Sequence, residues 1–155
     1  MEHIYQNLHF LVIDPSEFTR HDLKEHFECR GAVVYTVGLV DKIETVIEGT
    51  IHNGMILDCI LVDVRLPDCF GLFALKKIFM ALQGRDVPVI VMSHGFGKLA
   101  QRQMMRWGVV GFLRKPFNKN ILDSFLTERF KPKKSNSSNT EHESGASRDQ
   151  LRRAV

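Results

Sequence analysis

Four residues of this 155-residue chain stand at or just after the end of an apolar run, where a side chain can do chemistry. Asp14 follows "LHFLVI", Asp63 lies in "CILVDV", Ser93 ends "PVIVMS" and Lys115 follows "VVGFLR". A carboxylate in such a place can be a nucleophile when nearby cations neutralise the incoming charge. Taken singly, each residue has a plainer interpretation, since an Asp can cap a turn and a Ser can bond to the backbone. The surrounding elements decide between the two.

The apolar runs have the composition of buried strands. They are rich in β-branched and aromatic residues and are apolar at consecutive positions, which is typical of strands covered on both faces. The predicted strands cover residues 8–13, 32–37, 59–64, 88–93 and 109–114.

Segments of helix length separate the runs, and three of them stop at a glycine. The predicted helices cover residues 15–30, 40–53, 71–83, 98–107 and 117–130. Five such strand–helix units imply an α/β fold, a doubly wound five-stranded parallel sheet with five helices on its two faces. Sites in these sheets lie beyond the carboxyl ends of the strands. The four strand-end residues should therefore meet at one edge.

Three segments, "LVDVRLPDCFG", "PVIVMS" and "GFLRKPF", resemble motifs of the receiver domain of two-component response regulators. The resemblance covers about residues 7–130 and is closest to the single-domain chemotaxis type, which has a flavodoxin-like fold. Lys115 and Pro116 follow Asp63 at the family's spacing, with Ser93 between them. The resemblance implies a cytoplasmic signalling protein that has no separate substrate to turn over.

The resemblance also implies a role for each matching residue. Asp63 would be the phosphoacceptor for a sensor histidine kinase or phosphotransfer protein, and Lys115 the fixed cation for the phosphoryl oxygens. Ser93 would donate a hydrogen bond to a phosphoryl oxygen and move towards it on activation. Phe112 lies where the family often has an aromatic switch residue that follows this movement.

Mg²⁺ is the implied cofactor, held by the carboxylates of Asp14 and Asp63 and the backbone carbonyl of Arg65. Where the family usually has a second acidic residue, this sequence has Pro15, so we expect weaker attraction for Mg²⁺. Glu17 is a weaker candidate ligand that would act through water. A structural alternative is a capping box, with Asp14 as N-cap, Pro15 at the first helical position and Glu17 at the third. The two roles of Asp14 can coexist.

Three residues are expected to control access to the phosphoryl group. His94 replaces a residue that is usually small, and it either crowds the approach path or turns away at the surface. Gly95 has no side chain to orient a hydrolytic water, and Arg65 is long and cationic. We therefore expect a long-lived phosphorylated state.

The segment 98–119 contains basic residues and no acidic residue. It covers the fourth helix, the fifth strand and the start of the fifth helix, which is the family's usual output face. It is either a solvated surface or a docking face for an acidic downstream partner or a second copy of the chain. Its basic residues include Lys98, Arg102, Arg106, Arg114 and Lys119.

Charge and composition limit the remaining possibilities. Residues 1–130 contain 15 basic and 15 acidic residues, so the net charge of +3 belongs to residues 131–155. Nucleic-acid binding by the folded part is therefore not expected. No apolar run is long enough to cross a bilayer, no secretion signal is evident, and the odd number of cysteines favours reduced thiols. We expect a receiver domain over residues 1–130 and a polar, disordered tail or linker over 131–155.

Three classes of function are consistent with the predicted fold. The first is a phosphoryl-accepting receiver; the second is a pseudo-receiver, a protein-binding module of the same fold without phosphorylation, which Pro15 and His94 favour. The third is a small α/β enzyme or flavin carrier. Arg65 stands where a haloacid-dehalogenase-type phosphatase needs a second Asp, and "DPSEF" is too short and acidic for a flavin phosphate loop.

Overall fold

The computed structural model describes residues 2–65 and 71–130, in which five parallel strands form one sheet in the order β2-β1-β3-β4-β5. The strands are β1 (His9–Ile13), β2 (Val33–Val37), β3 (Cys59–Asp63), β4 (Val89–Ser93) and β5 (Val109–Arg114). The helices are α1 (Glu17–Glu28), α2 (Ile43–His52), α3 (Gly71–Leu82), α4 (Lys98–Trp107) and α5 (Lys119–Phe130). The predicted doubly wound α/β fold is confirmed. Residues 66–70, in the second half of the "LVDVRLPDCFG" motif, and the predicted tail 131–155 lie outside the described residues.

The start of α1 differs from the predicted capping box. The N-cap is Ser16, whose side chain accepts a hydrogen bond from the backbone N–H of Thr19, and the helix begins at Glu17. Asp14 instead accepts the N–H of Ser16 at 2.8 Å. The capping box was wrong because Asp14 and Pro15 form a connecting turn ahead of the helix. A single short 3₁₀ turn, Val40–Lys42, likewise precedes α2.

Both faces of the sheet are covered, as the consecutive apolar residues predicted. Alternate residues of a strand point to opposite faces. In β1, Leu11 and Ile13 join a core formed with α2, α3 and α4, whereas Phe10 and Val12 join a core formed with α1 and α5. A one-residue slip of a central strand would exchange the two sets, so both cores fix the register. No helix among the described residues is both long and apolar enough to span a membrane.

A cluster of polar side chains joins the segment before β1 to α1 and α5. The buried Tyr5 hydroxyl donates a hydrogen bond to the carboxylate of Asp123. His26 Nε2 lies 2.8 Å from the same oxygen, and Arg30 Nε lies 3.6 Å from the other. Burial raises the pKa of Tyr5, and the hydrogen bond to Asp123 raises it further. Asp123 thus satisfies polar groups of two other segments.

We expect Asp123→Ala to lower the free energy of unfolding by about 2–4 kcal/mol, because it leaves the Tyr5 hydroxyl and the His26 ring buried without their acceptor. Urea unfolding followed by circular dichroism measures the loss. Asp86→Ala is the control, since Asp86 is an exposed carboxylate whose removal should change stability by less than about 0.5 kcal/mol. Equal effects of the two variants would contradict the role of the cluster.

Candidate functional site

Two acidic residues lie at the carboxyl ends of the central strands. β1 and β3 are neighbours, with Ile13 paired to Val62, so Asp14 and Asp63 emerge side by side. The chain passes from β1 to β2 on one side and reaches β3 on the other, which makes this the topological switch point of the sheet. Ser93 and Lys115 come from the ends of β4 and β5 at the same edge.

Lys115 connects the two carboxylates. Its ammonium lies 2.6 Å from Asp63 Oδ2 and also donates to Asp14 Oδ2. Asp14 is 0 % exposed and Asp63 is 5 % exposed. Burial alone lowers the pKa of Lys115, but hydrogen bonds and charge from both carboxylates outweigh it, and the net shift is upward. Lys115 is therefore charged at neutral pH and joins strands β1, β3 and β5 at one point.

Backbone amides hold the remaining carboxylate oxygens. Asp14 Oδ1 accepts the N–H of Ser16, and Asp63 Oδ1 accepts the N–H of Arg65 at 2.7 Å. Each carboxylate thus has one oxygen on a backbone amide and one on Lys115. The orientation of each carboxylate is therefore fixed, because rotation would break its bonds to the backbone amide and to Lys115.

Arg20 holds the turn that carries Asp14, a role the sequence analysis missed. Its Nη1 donates to the backbone carbonyl oxygens of Asp14 at 2.7 Å and Pro15 at 3.0 Å. Gly38, at the end of β2, makes room for this guanidinium, since a Cβ there would lie 2.6 Å from Nη1. The position of Arg20 in the second turn of α1 gave no sign of this contact, which depends on the fold of the turn.

A cavity of about 490 Å³ opens above the two carboxylates. One wall comes from α1 and the turn before it, and the other from residues near the ends of β3, β4 and β5. Its lining residues include the predicted Asp14, Pro15, Asp63, Arg65, His94 and Lys115, together with the unpredicted Phe18, Asp22 and Phe117. Phe18 and Asp22 are four residues apart on α1, so helical spacing from Pro15 could have indicated them.

Ser93 is buried near the site but bonds within its own loop. Its hydroxyl donates to the carbonyl of Gly95 at 3.1 Å, and the residue does not line the cavity. Phe112 is half-buried, and its ring packs edge-to-face on Phe96 with centroids 5.2 Å apart. The two predicted switch residues thus contact the same loop between β4 and α4.

The residues expected to control access lie at or beside the cavity, whereas the weaker candidate metal ligand Glu17 does not. Arg65 and His94 are exposed and line the cavity, and Gly95 lies beside Arg65, since a Cβ there would be 3.8 Å from its Nη2. Glu17 is exposed and lines a different groove, with Arg20, on the far side of α1. The structure therefore does not bring Glu17 to the two carboxylates.

The predicted basic face is mostly exposed. Lys98, Arg102 and Arg106 are exposed on α4, as is Arg114 at the end of β5. Lys119 differs, since its ammonium lies 2.5 Å from Asp22 Oδ1 on α1. Its charge is therefore paired with a carboxylate of the cavity wall.

The oxygen donors fit a small divalent cation, though with few carboxylates. The described residues contain no group of three or more His, Cys, Asp or Glu side chains that could hold a metal. Two buried carboxylates are hard oxygen ligands, which suit Mg²⁺. Half-buried Pro15 lines the cavity where a further carboxylate would be useful.

Comparison with known proteins agrees with this geometry. The family model described as response regulator receiver domain matches residues 10–127. The transcriptional regulatory protein FixJ of Bradyrhizobium diazoefficiens is 30% identical over 119 residues, 76% of this chain and 54% of FixJ, so the chain spans about half that relative. A two-component response regulator from Clostridium difficile superposes with a TM-score of 0.68 at 21% identity, over 80% of this chain and 96% of that one. Chemotaxis protein CheY4 of Vibrio cholerae gives 0.67 at 21% identity, over 79% and 98%.

We expect Lys115→Met to lower the free energy of unfolding by about 3–5 kcal/mol at pH 7, because it leaves two buried carboxylates without their cation. The stabilisation is fully present at this pH, since a raised pKa means that it is lost only as the pH rises through the folded value above 10.5.

A second substitution tests the cause of that loss. Adding Asp63→Asn to Lys115→Met should recover part of the stability, because one of the two uncompensated charges is removed. Chemical unfolding of the single and double variants gives the comparison. A double variant less stable than Lys115→Met would contradict the electrostatic explanation.

Proposed function

The chain belongs to the response regulator receiver domain family, and on that premise we propose that Asp63 accepts a phosphoryl group from a histidine kinase of a two-component system. The observation that carries the proposal is the contact of Lys115 with Asp14 and Asp63 at the floor of an open cavity. This contact supports the proposal because a carboxylate and a fixed cation lie together at the floor of a cavity that is open to an incoming phosphoryl group.

The proposed step is a nucleophilic displacement. A carboxylate oxygen of Asp63 attacks the phosphorus of a phosphorylated histidine on the kinase. An O–P bond forms as the P–N bond breaks, and the leaving imidazole nitrogen keeps the electron pair and takes up a proton from solvent. The products are an acyl phosphate on Asp63 and a free histidine on the kinase.

Lys115 is the group that neutralises the added charge. Its ammonium already lies 2.6 Å from Asp63, so a small movement suffices for it to contact a phosphoryl oxygen. Its upward-shifted pKa keeps it protonated throughout. A fixed cation costs no reorganisation at the moment of transfer, which is why it stabilises the transition state.

Asp14, Asp63 and the backbone carbonyl of Arg65 would hold Mg²⁺ in this cavity. When bound, Mg²⁺ supplies positive charge for the phosphoryl oxygens. Pro15 leaves this site one carboxylate short, so we propose that the chain requires more Mg²⁺ than a site with an acidic pair. Arg20 keeps the turn with Asp14 in place through its two carbonyl contacts.

Ser93 and Phe112 form the proposed switch. To reach a phosphoryl oxygen, the Ser93 hydroxyl has to leave the carbonyl of Gly95, and the loop between β4 and α4 moves with it. Phe112 packs on Phe96 of that loop, so its rotamer follows the movement. The phosphoryl group thereby shifts the population of conformations next to α4.

The proposed output is a protein contact. Exposed Lys98, Arg102, Arg106 and Arg114 offer a basic face for a downstream partner or a second copy of the chain. We place the receiver domain in residues 1–130 and assign 131–155 to a tail or linker in a cytoplasmic protein. Exposed His94 and Arg65 at the cavity mouth slow the approach of water, which gives a long-lived phosphorylated state.

We expect incubation with acetyl phosphate and Mg²⁺ to add the mass of one phosphoryl group, and Asp63→Asn to abolish that gain. Intact-protein mass spectrometry measures it. Asp22→Asn is the matched control, because Asp22 is a carboxylate of the same cavity that lies on α1 and pairs with Lys119. It should still gain the phosphoryl mass.

Two results would contradict the proposal. No mass gain in the unaltered protein at high millimolar Mg²⁺ would favour the pseudo-receiver, a binding module without phosphorylation. A gain that survives Asp63→Asn and disappears in Asp22→Asn would move the acceptor to α1.

The phosphorylated protein also tests the lifetime of the phosphoryl group. Loss of the phosphoryl group within seconds would rule out a long-lived state.

We expect Pro15→Asp to tighten Mg²⁺ binding by about tenfold, because it adds a third carboxylate to a site with two. Isothermal titration calorimetry with Mg²⁺ measures the affinity directly. Pro15→Ala is the control that removes the proline ring without adding charge, and it should leave the affinity within about twofold. Equal affinities of the two variants would mean that position 15 does not reach the metal.

A further inference from the structure

A groove of about 480 Å³ runs between α3 and α4, and its walls are apolar. Phe79, Met80 and Trp107 line it together with the stem of Lys76. Met80 is 64 % exposed and Trp107 is 42 % exposed, so the groove presents adjoining apolar side chains to solvent. Exposed Phe73 lies two helical turns before Met80 and extends the apolar side of α3.

The groove is separate from the phosphoryl site. None of its lining residues lines the cavity above Asp14 and Asp63. Phe79 forms the floor, since it packs against the core beneath α3 and its ring lies against the backbone of Gly108, where a Cβ would be 3.2 Å away. Phe79 is therefore held in place by the core, whereas Met80 and Trp107 remain accessible to a partner.

The helices on either side of the groove are strongly basic. Neither α3 nor α4 contains an Asp or Glu. Lys77 is paired with Glu44 of α2 at 3.4 Å. Lys76 on α3 and Arg102 and Arg106 on α4 are exposed. Lys76 lines the groove, and the two helices that form it carry basic and no acidic residues, which favours an occupant that is apolar along one side and negative along its edges.

We propose that this groove docks an amphipathic, acidic helix of a partner protein. Large apolar side chains at helical spacing on the partner would contact Phe79, Met80 and Trp107. Its Asp and Glu side chains would lie near Lys76 and would be attracted by the positive charge of both helices. A second copy of this chain is disfavoured, because a two-fold interface brings the same basic helices together and repulsion between like charges opposes it.

Trp107 provides a direct readout, because it is the single tryptophan of the chain and it lines the groove. The probe is a synthetic peptide, stapled as a helix, with leucines on one side and glutamates elsewhere. We expect a saturable blue shift of the Trp107 emission as the peptide covers the ring, with an affinity that falls as salt is added. A peptide with lysines in place of the glutamates should bind at least about tenfold more weakly.

Two matched variants locate the contact. Met80→Glu puts a charge in the groove and should weaken the acidic peptide at least about tenfold. Met105→Glu adds the same charge to α4 at a side chain that is 61 % exposed but does not line the groove, and should stay within about twofold. Both positions are exposed, so both variants should fold, which circular dichroism checks.

Three results would overturn the proposal. The first is no change in Trp107 emission with the acidic peptide. The second is an equal loss of affinity in Met80→Glu and Met105→Glu, which would mean a diffuse charge effect. The third is a Trp107 shift that depends on protein concentration without peptide, with dimers in sedimentation velocity, which would make a second copy the occupant.

Discussion

The contact of one lysine with two buried carboxylates is the constraint on which the site depends. Asp14 and Asp63 are nearly inaccessible to water, and two negative charges so placed are costly unless a cation lies between them. Lys115 supplies that cation from the end of β5. The contact is possible only because three strands of a parallel sheet end at the same edge, so the topology and the charge balance of the site require each other.

Much of the fold was predictable because the signals are local. Strands β1, β3 and β4 are apolar on consecutive positions, as strands covered on both faces must be, and glycines follow several helices closely. The convergence of Asp14, Asp63 and Lys115 followed from the same reasoning, since parallel strands share a carboxyl edge. Glu17 lies away from these residues because α1 begins at Glu17, and sequence patterns define such helix boundaries poorly.

Contacts that no periodicity marks were not predictable, whether their residues are near or far apart in the sequence. The capping box at Asp14 fits its residue types, yet Asp14 is engaged elsewhere and Ser16 takes the cap. Arg20 donates to the carbonyl of Asp14 in the turn before its helix. Asp123 accepts a hydrogen bond from Tyr5, which lies 118 residues earlier in the sequence. No periodicity marks these pairs, because their geometry arises from packing. The same holds for the groove between α3 and α4, whose residues are ordinary singly and notable only when the helices lie side by side.

Gly38 shows that the site also depends on a residue that has no functional group. Because Gly38 has no side chain, the Arg20 guanidinium can lie next to it. That guanidinium donates hydrogen bonds to the carbonyls of Asp14 and Pro15. In evolutionary terms the two positions are not free to drift separately. A side chain at position 38 would displace the Arg20 guanidinium, and the turn carrying Asp14 would then lose that support. The glycine therefore belongs to the site as much as the arginine does, although it bears no functional group.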